Sequence, residues 1–163
     1  MYNNLQTIND VLCKPNNLTI TDLSIDTESK EYTACTFAIN NGQIVFRSAK
    51  TTPTKIGQFV TLWKRPFNKE IVPYSNLDPI KLYLIYTKTT KNEGLFIFPK
   101  EILYKNNVLS DGQQPGKRGI RVYPTWDQPT SKQAIKSQQW QVPHFIDLKK
   151  EPLDHKRIKE LFI

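Results

Sequence analysis

The sequence predicts a single α+β domain with an antiparallel or mixed sheet built from two hairpins and with helices at both termini and between the hairpins. Three observations support this fold class. Two pairs of β-rich segments are each joined by a short turn. Segments with apolar residues at helical spacing precede, separate and follow these pairs. The length of 163 residues is typical of one domain, so we treat residues 1–163 as one unit.

The first part of the chain is predicted to contain a helix, a strand and a hairpin. A helix over residues 2–13 is indicated by apolar side chains at helical spacing, namely Leu5, Ile8, Val11 and Leu12. A strand is expected over about residues 18–25. Residues 31–39 and 43–50 are predicted to pair, because Asn40-Asn41-Gly42 is typical of a tight hairpin turn.

A helix is expected to begin at Thr52-Pro53, with threonine as the N-cap and proline in the first helical position. Apolar residues follow at i, i+3, i+4 and i+7: Ile56, Phe59, Val60 and Trp63. Gly57 lowers helix propensity, however, and the run FVTLW is also compatible with a strand.

The second hairpin is predicted from two strongly apolar strands, over residues 80–88 and the run GLFIF. A proline-rich loop over residues 66–79 precedes it, and Pro99 opens a short helix after it. A loop over residues 111–119, a short strand over 120–123 and helices over 130–140 and 153–162 complete the prediction.

Composition argues for a cytoplasmic protein without a metal site. The N-terminus lacks the basic start and apolar run of a signal peptide, and no apolar run is long enough to span a membrane. Cys13 and Cys35 are expected to be reduced and buried. No CxxC or His/Cys cluster occurs, so neither a metal nor a cofactor is predicted.

Positive charge is concentrated in the middle of the chain. The net charge is +8, and residues 47–121 contain fourteen Lys or Arg against five acids. Such clustering suits a polyanion, above all nucleic acid, because each neutralised phosphate releases a counterion. An ordinary solvated surface is the alternative. The candidate contact residues are Arg47, Lys50, Lys55, Lys64, Arg65, Lys117, Arg118 and Arg121.

Two segments concentrate these candidates. The segment RSAKTTPTKIGQF runs from the end of a predicted strand into the predicted helix, whose N-terminus would suit phosphate. In GKRGIRVYPTW, Arg118 and Arg121 could each form two hydrogen bonds to a phosphate. Tyr123 and Trp126 of the same segment could stack on bases. For the first segment, the alternative is an ordinary capped helix with surface lysines. For the second, the alternative is that Tyr123 and Trp126 pack in the core or at an edge.

Two other functions stay open from the residues alone. A magnesium-dependent nuclease would use Glu28, Glu31 and Lys50 at the base of the first hairpin, with Mg²⁺ required only under this alternative. The acid-x-Lys pattern at Glu28 occurs about as often as chance predicts in this composition. A protein-binding accessory factor would instead show an exposed apolar patch. Neither the choice between DNA and RNA nor the oligomeric state follows from the sequence.

The chain resembles the MepB family. The resemblance is carried by ESKEYTACTF, RSAKTTPTKIGQFVTLWKR, GLFIFPKEIL and GKRGIRVYPTWD, in this order, and covers about residues 20–150. It implies a small bacterial cytoplasmic protein, and the family's namesake is encoded beside a multidrug efflux pump and its repressor. It implies no settled catalytic activity. It marks Gln58 and Trp63, together with the candidate contact residues, as motif positions without assigning them roles.

Overall fold

The computed structural model describes residues 2–162 as three layers, with a six-stranded sheet between helices and a smaller sheet. The strands are β1 Thr21–Ile25, β2 Cys35–Ile39, β3 Gly42–Ser48, β4 Lys50–Thr51, β5 Gln58–Thr61, β6 Trp63–Lys64, β7 Val72–Pro73, β8 Leu82–Lys88, β9 Glu93–Pro99, β10 Gly119–Val122 and β11 Phe145–Asp147. The helices are α1 Asn3–Ile8, α2 Lys100–Lys105, α3 Lys132–Gln141 and α4 His155–Leu161. Within residues 2–162, none of the helices has the length and apolar character needed to cross a bilayer.

The large sheet is mixed and has the order β1-β2-β3-β8-β9-β11. Both predicted hairpins are confirmed, because β2 pairs antiparallel with β3 and β8 pairs antiparallel with β9. Asn40 and Asn41 join β2 to β3 with φ angles of 51° and 63°, the left-handed backbone that the tight turn requires. The two hairpins meet where β3 and β8 run parallel.

The long connection from β3 to β8 corrects one prediction. The helix expected from Thr52 is wrong, because β5 is a strand that pairs with β4 on one side and β10 on the other. Gly57 adopts a φ of +84°, which interrupts any helix there. The side chains alternate as in a half-buried strand, with Gln58 2% and Val60 0% exposed. The helix N-terminus proposed as a phosphate site therefore does not exist.

Smaller differences arise at the element boundaries. Strand β2 begins at Cys35, not near residue 31, because residues Lys30–Tyr32 form a 3₁₀ turn bracketed by left-handed Ser29 and Thr33. Helix α1 continues through a π-helical segment, Asn9–Cys13, and a 3₁₀ turn, Lys14–Asn16. Strand β11 was not predicted. The remaining predicted helices and strands are present within a few residues of the expected bounds.

The two faces of the large sheet carry separate cores. Ile44 and Phe46 of β3 share a cluster with α1 and α4, whereas Val45 packs with β5, β10 and α2 on the opposite face. Cys13 and Cys35 are 0% exposed and form no disulfide, so the predicted burial is confirmed. The small sheet and α3 therefore lie on the face opposite α1 and α4, and that face carries the candidate site.

Candidate functional site

A cleft of about 570 Å³ opens between α3 and strands β5 and β10. We call it the basic cleft. Five cationic side chains line it: Lys55, Lys105, Lys117, Arg121 and Lys136. Among the described residues that form its walls, none is Asp or Glu. The cleft is therefore a region of positive potential, because low-dielectric walls lined by one sign of charge concentrate the field.

Helix α3 supplies one wall. Gln133, Lys136 and Trp140 follow one another at i, i+3 and i+7, which places them on one helical face. All three line the basic cleft. The helix begins where the Ser131 hydroxyl accepts a hydrogen bond of 3.1 Å from the Ala134 N–H, an ordinary N-cap.

Aromatic rings form part of the cleft wall. The Trp140 indole packs against Phe98 with ring centroids 5.4 Å apart and remains partly exposed. The Phe59 ring crosses Gly119, where an added Cβ would stand 2.6 Å from the Phe59 Cζ. Packing therefore holds both rings in position before any ligand arrives.

Arg121 connects the cleft to the turn between β4 and β5. Its Nη1 donates to the Thr52 hydroxyl at 3.0 Å and to the Ile56 carbonyl at 3.4 Å. These bonds hold the turn that carries Lys55. Since a guanidinium has five N–H donors, Arg121 keeps donors for a ligand while it orders the turn.

Two smaller hollows adjoin the cleft, and Lys55 lines all three cavities. One, of about 320 Å³, shares Arg121 and Tyr123 with the cleft. The other, of about 350 Å³, is bordered by Gln58, Trp126 and Asp127. Burial raises the pKa of the Asp127 carboxyl above its ordinary value. The three cavities therefore lie next to one another around Lys55, and we call them together the groove.

The structure brings four of the predicted contact residues together and adds three. Lys55, Lys117, Arg121 and Tyr123 line the basic cleft. Sequence reasoning missed Lys105, Lys136 and Trp140, although the helical spacing of Lys136 and Trp140 could have placed both on one face. Tyr123 is only 9% exposed, so its ring is chiefly packing. Trp126 packs edge-on against Phe145, with centroids 5.5 Å apart.

Arg47 corrects a second prediction, because its side chain is 1% exposed and cannot contact a polyanion at the surface. Its Nη1 donates to the Phe46 carbonyl at 2.9 Å, and its Nη2 donates to the Tyr74 hydroxyl at 3.3 Å. The Asp26 carboxylate lies 4.0 Å away. Arg47 is buried because Tyr74 and the β3–β8 connection cover this face of β3.

The other predicted cations lie outside the cleft. Lys64 forms an ion pair with Asp78. The Arg65 Nε donates to Glu28 at 3.0 Å. The Lys50 Nζ lies 5.0 Å from the centroid of the Tyr32 ring. Arg118 is exposed but does not line the cleft.

The residues of the nuclease alternative do not form the hairpin site that was expected. Glu31 lies in the 3₁₀ turn and Glu28 precedes that turn, so neither is on a strand. Glu28 also forms an ion pair with Arg65. Across residues 2–162, no three His, Cys, Asp or Glu side chains are grouped so as to hold a metal ion. The alternative therefore gains no support from the geometry.

The accessory-factor alternative predicted an exposed apolar patch. Phe67 and Leu77, both in the β3–β8 connection, are 96% and 87% exposed. Two exposed side chains do not define a partner, so protein binding stays a prediction.

Comparison with known proteins identifies the family. A model of the MepB-like family matches residues 26–147. The chain belongs to the MepB-like family. A solved structure described as the crystal structure of MepB is 30% identical, covers 93% of this chain and 100% of its own, and superposes with a TM-score of 0.79. Among curated proteins, none matches the chain significantly.

The MepB-like region contains the whole basic cleft. All cleft residues lie between Lys55 and Gln141, inside the matched range 26–147. The family resemblance inferred from the sequence motifs, over about residues 20–150, is confirmed. Helices α1 and α4, which cover the opposite face of the large sheet, lie outside the range matched by the MepB-like model.

Proposed function

We propose that this MepB-like protein binds nucleic acid through the basic cleft. One observation carries the proposal: five cationic side chains converge on one cleft whose described walls contain no carboxylate. Each phosphate that such a cation neutralises releases a condensed counterion, and this release drives binding. The net charge of +8 adds a general attraction toward polyanions.

The uncharged side chains of the cleft also suit this class of ligand. Asn106, Asn107, Gln133 and Ser137 line the same walls. Amide and hydroxyl groups donate and accept hydrogen bonds, so they complement sugar and base edges as well as phosphate oxygens. A cleft for a simple inorganic anion would not need them.

The proposal is tested by anisotropy with labelled single- and double-stranded DNA and RNA over a salt series. The informative variant is Lys105→Glu/Lys136→Glu. Its matched control is Lys156→Glu/Lys159→Glu, which makes the same change in net charge at exposed positions of α4, on the opposite face of the large sheet. We expect the cleft variant to lose roughly tenfold or more in affinity at low salt, and the control variant to lose much less.

Absence of binding at low salt, salt-independent binding, or equal losses in the two variants would overturn the proposal. The same assay carried out with Mg²⁺ checks the nuclease alternative. Shortening of the labelled strand that Glu31→Gln abolishes would favour catalysis over simple binding.

A further inference from the structure

We infer that the basic cleft takes a single strand of nucleic acid with its bases turned inward, and not a double helix. This inference rests on the proposed function and specifies its ligand. Three features of the cleft support it: its aromatic rings, its small size and the positions of its charged groups.

The aromatic rings suit unpaired bases. Trp140 is partly exposed in the cleft and packs at a tilt against Phe98, and Phe59 lies over Gly119. Aromatic side chains bind single strands by stacking on base faces, which every base possesses. In a duplex, both faces of each base are covered by neighbouring base pairs, so these rings would have no partner.

The dimensions of the groove favour a single strand. The basic cleft, at about 570 Å³, has the volume of a pocket for a small organic ligand. Two hollows of about 320 and 350 Å³ lie beside it, and Lys55 lines all three cavities. These adjacent hollows give a chain of nucleotides room to extend beyond the cleft. A double helix, whose major groove alone is about 12 Å wide, could only rest on the rim.

The positions of the charged side chains indicate which side of the nucleic-acid strand faces the cleft. Lys105, Lys117 and Lys136 are exposed, whereas Trp140 and Phe59 are partly buried. Phosphates therefore meet the exposed cations, and bases face the rings. Asp127 borders the hollow of about 350 Å³, beside Gln58. A carboxyl group there disfavours a phosphate, so that hollow suits a base or a sugar.

The test compares three ligands of equal length: a labelled oligothymidylate, the corresponding duplex, and a strand that carries abasic residues in place of the central nucleotides. The abasic strand keeps the phosphates but offers no bases. We expect the oligothymidylate to bind most tightly, and both of the other ligands to bind more weakly.

Trp140→Ala should lower the affinity for oligothymidylate about 5- to 150-fold, the range that corresponds to loss of one stacked base. It should change binding of the abasic strand little. Trp140→Phe keeps a ring and should restore most of the affinity. Urea unfolding of both variants shows whether the fold is retained. If Trp140→Ala does not fold, Trp140→Phe still reports through tryptophan fluorescence, because the quenching caused by oligothymidylate should largely disappear.

The results of these experiments distinguish failure of the single-strand inference from failure of the proposed function. Salt-sensitive binding in which the duplex or the abasic strand matches the oligothymidylate would overturn the single-strand inference and leave nucleic-acid binding intact. Quenching that persists unchanged in Trp140→Phe would also overturn it. No salt-sensitive binding of any ligand would overturn both.

Discussion

The side-chain amide of Gln141 lies beside Tyr123 in the position that a neighbouring strand would occupy. Its Oε1 accepts a hydrogen bond of 2.8 Å from the Tyr123 N–H, and its Nε2 donates one of 3.0 Å to the Arg121 carbonyl. Gln141 is 1% exposed. One buried side chain therefore fastens the end of α3 to the edge of β10, and with it both walls of the basic cleft.

Gln141→Leu should destabilise the protein by about 2 kcal/mol or more, because it leaves two buried backbone groups without partners. The affinity for nucleic acid should also fall, since α3 would no longer be fixed against β10. Urea unfolding measures the first effect and anisotropy the second. Gln139→Leu, a change of the same type at an exposed position of α3 that does not line the basic cleft, is the control. A Gln141→Leu protein as stable as that control would contradict the prediction.

Gly57→Ala should destabilise the protein by about 1–2 kcal/mol or more. Gly57 has a φ of +84°, and an added Cβ would stand 2.7 Å from the Tyr123 ring and 2.8 Å from the Val122 carbonyl oxygen. Gly112 offers a matched control, because its Cβ would meet nothing within 4 Å. Thermal or urea unfolding compares the two variants. Equal stabilities would show that the Gly57 backbone is not restrained as described.

Arg47→Met should leave nucleic-acid binding unchanged and alter the free energy of unfolding by no more than about 1.5 kcal/mol. Methionine fills the volume of a buried side chain, and an apolar replacement for a buried ion is often tolerated. Arg121→Met, which removes a cation from the cleft wall, should weaken binding and reduce the salt slope by roughly 0.7. Loss of binding in Arg47→Met with stability retained would restore Arg47 as a contact residue.

The free energy of unfolding should fall as the pH rises above 9. Burial raises the pKa of Cys13 and of Cys35 from 9.0 to about 12. Between these values the unfolded chain loses protons that the folded chain retains, so the unfolded state becomes more favourable. In this window, each cysteine lowers the free energy of unfolding by about 1.4 kcal/mol for every unit of pH increase.

Urea unfolding between pH 8 and pH 11 checks this prediction, with Cys13→Ala/Cys35→Ala as the comparison. The double variant should lose stability less steeply over the same range, even if it is less stable at every pH. Parallel pH profiles for the two proteins would show that the thiols do not contribute.

The arrangement of the cleft could be predicted only in part. Lys55, Lys117 and Arg121 were found because basic residues cluster in the middle of the chain, and charge is visible in a sequence. Lys105 lies in the basic middle of the chain but outside the two segments singled out there, and Lys136 lies beyond the basic middle. Only the fold brings both of them to the cleft. Arg47 resembles its neighbours in charge, yet the β3–β8 connection buries it.

The sequence by itself determined the local structure and the family. The hairpin turn at Asn40 and Asn41, the apolar strands β8 and β9 and the helical segment of α3 depend on residues close in the chain, whose conformational preferences act without tertiary contacts. The motif order determined the MepB-like assignment. These features could be derived before any contact between distant segments was known.

The tertiary structure decided what the local pattern left ambiguous. Residues 58–61 fit both a helical and a strand period, and pairing of Gln58 with the distant Val122 selects the strand, because β10 satisfies the backbone groups of β5. The same pairing brings Lys55 and Arg121 to one cleft. Long-range pairing, which short segments of sequence do not encode, therefore created the candidate site.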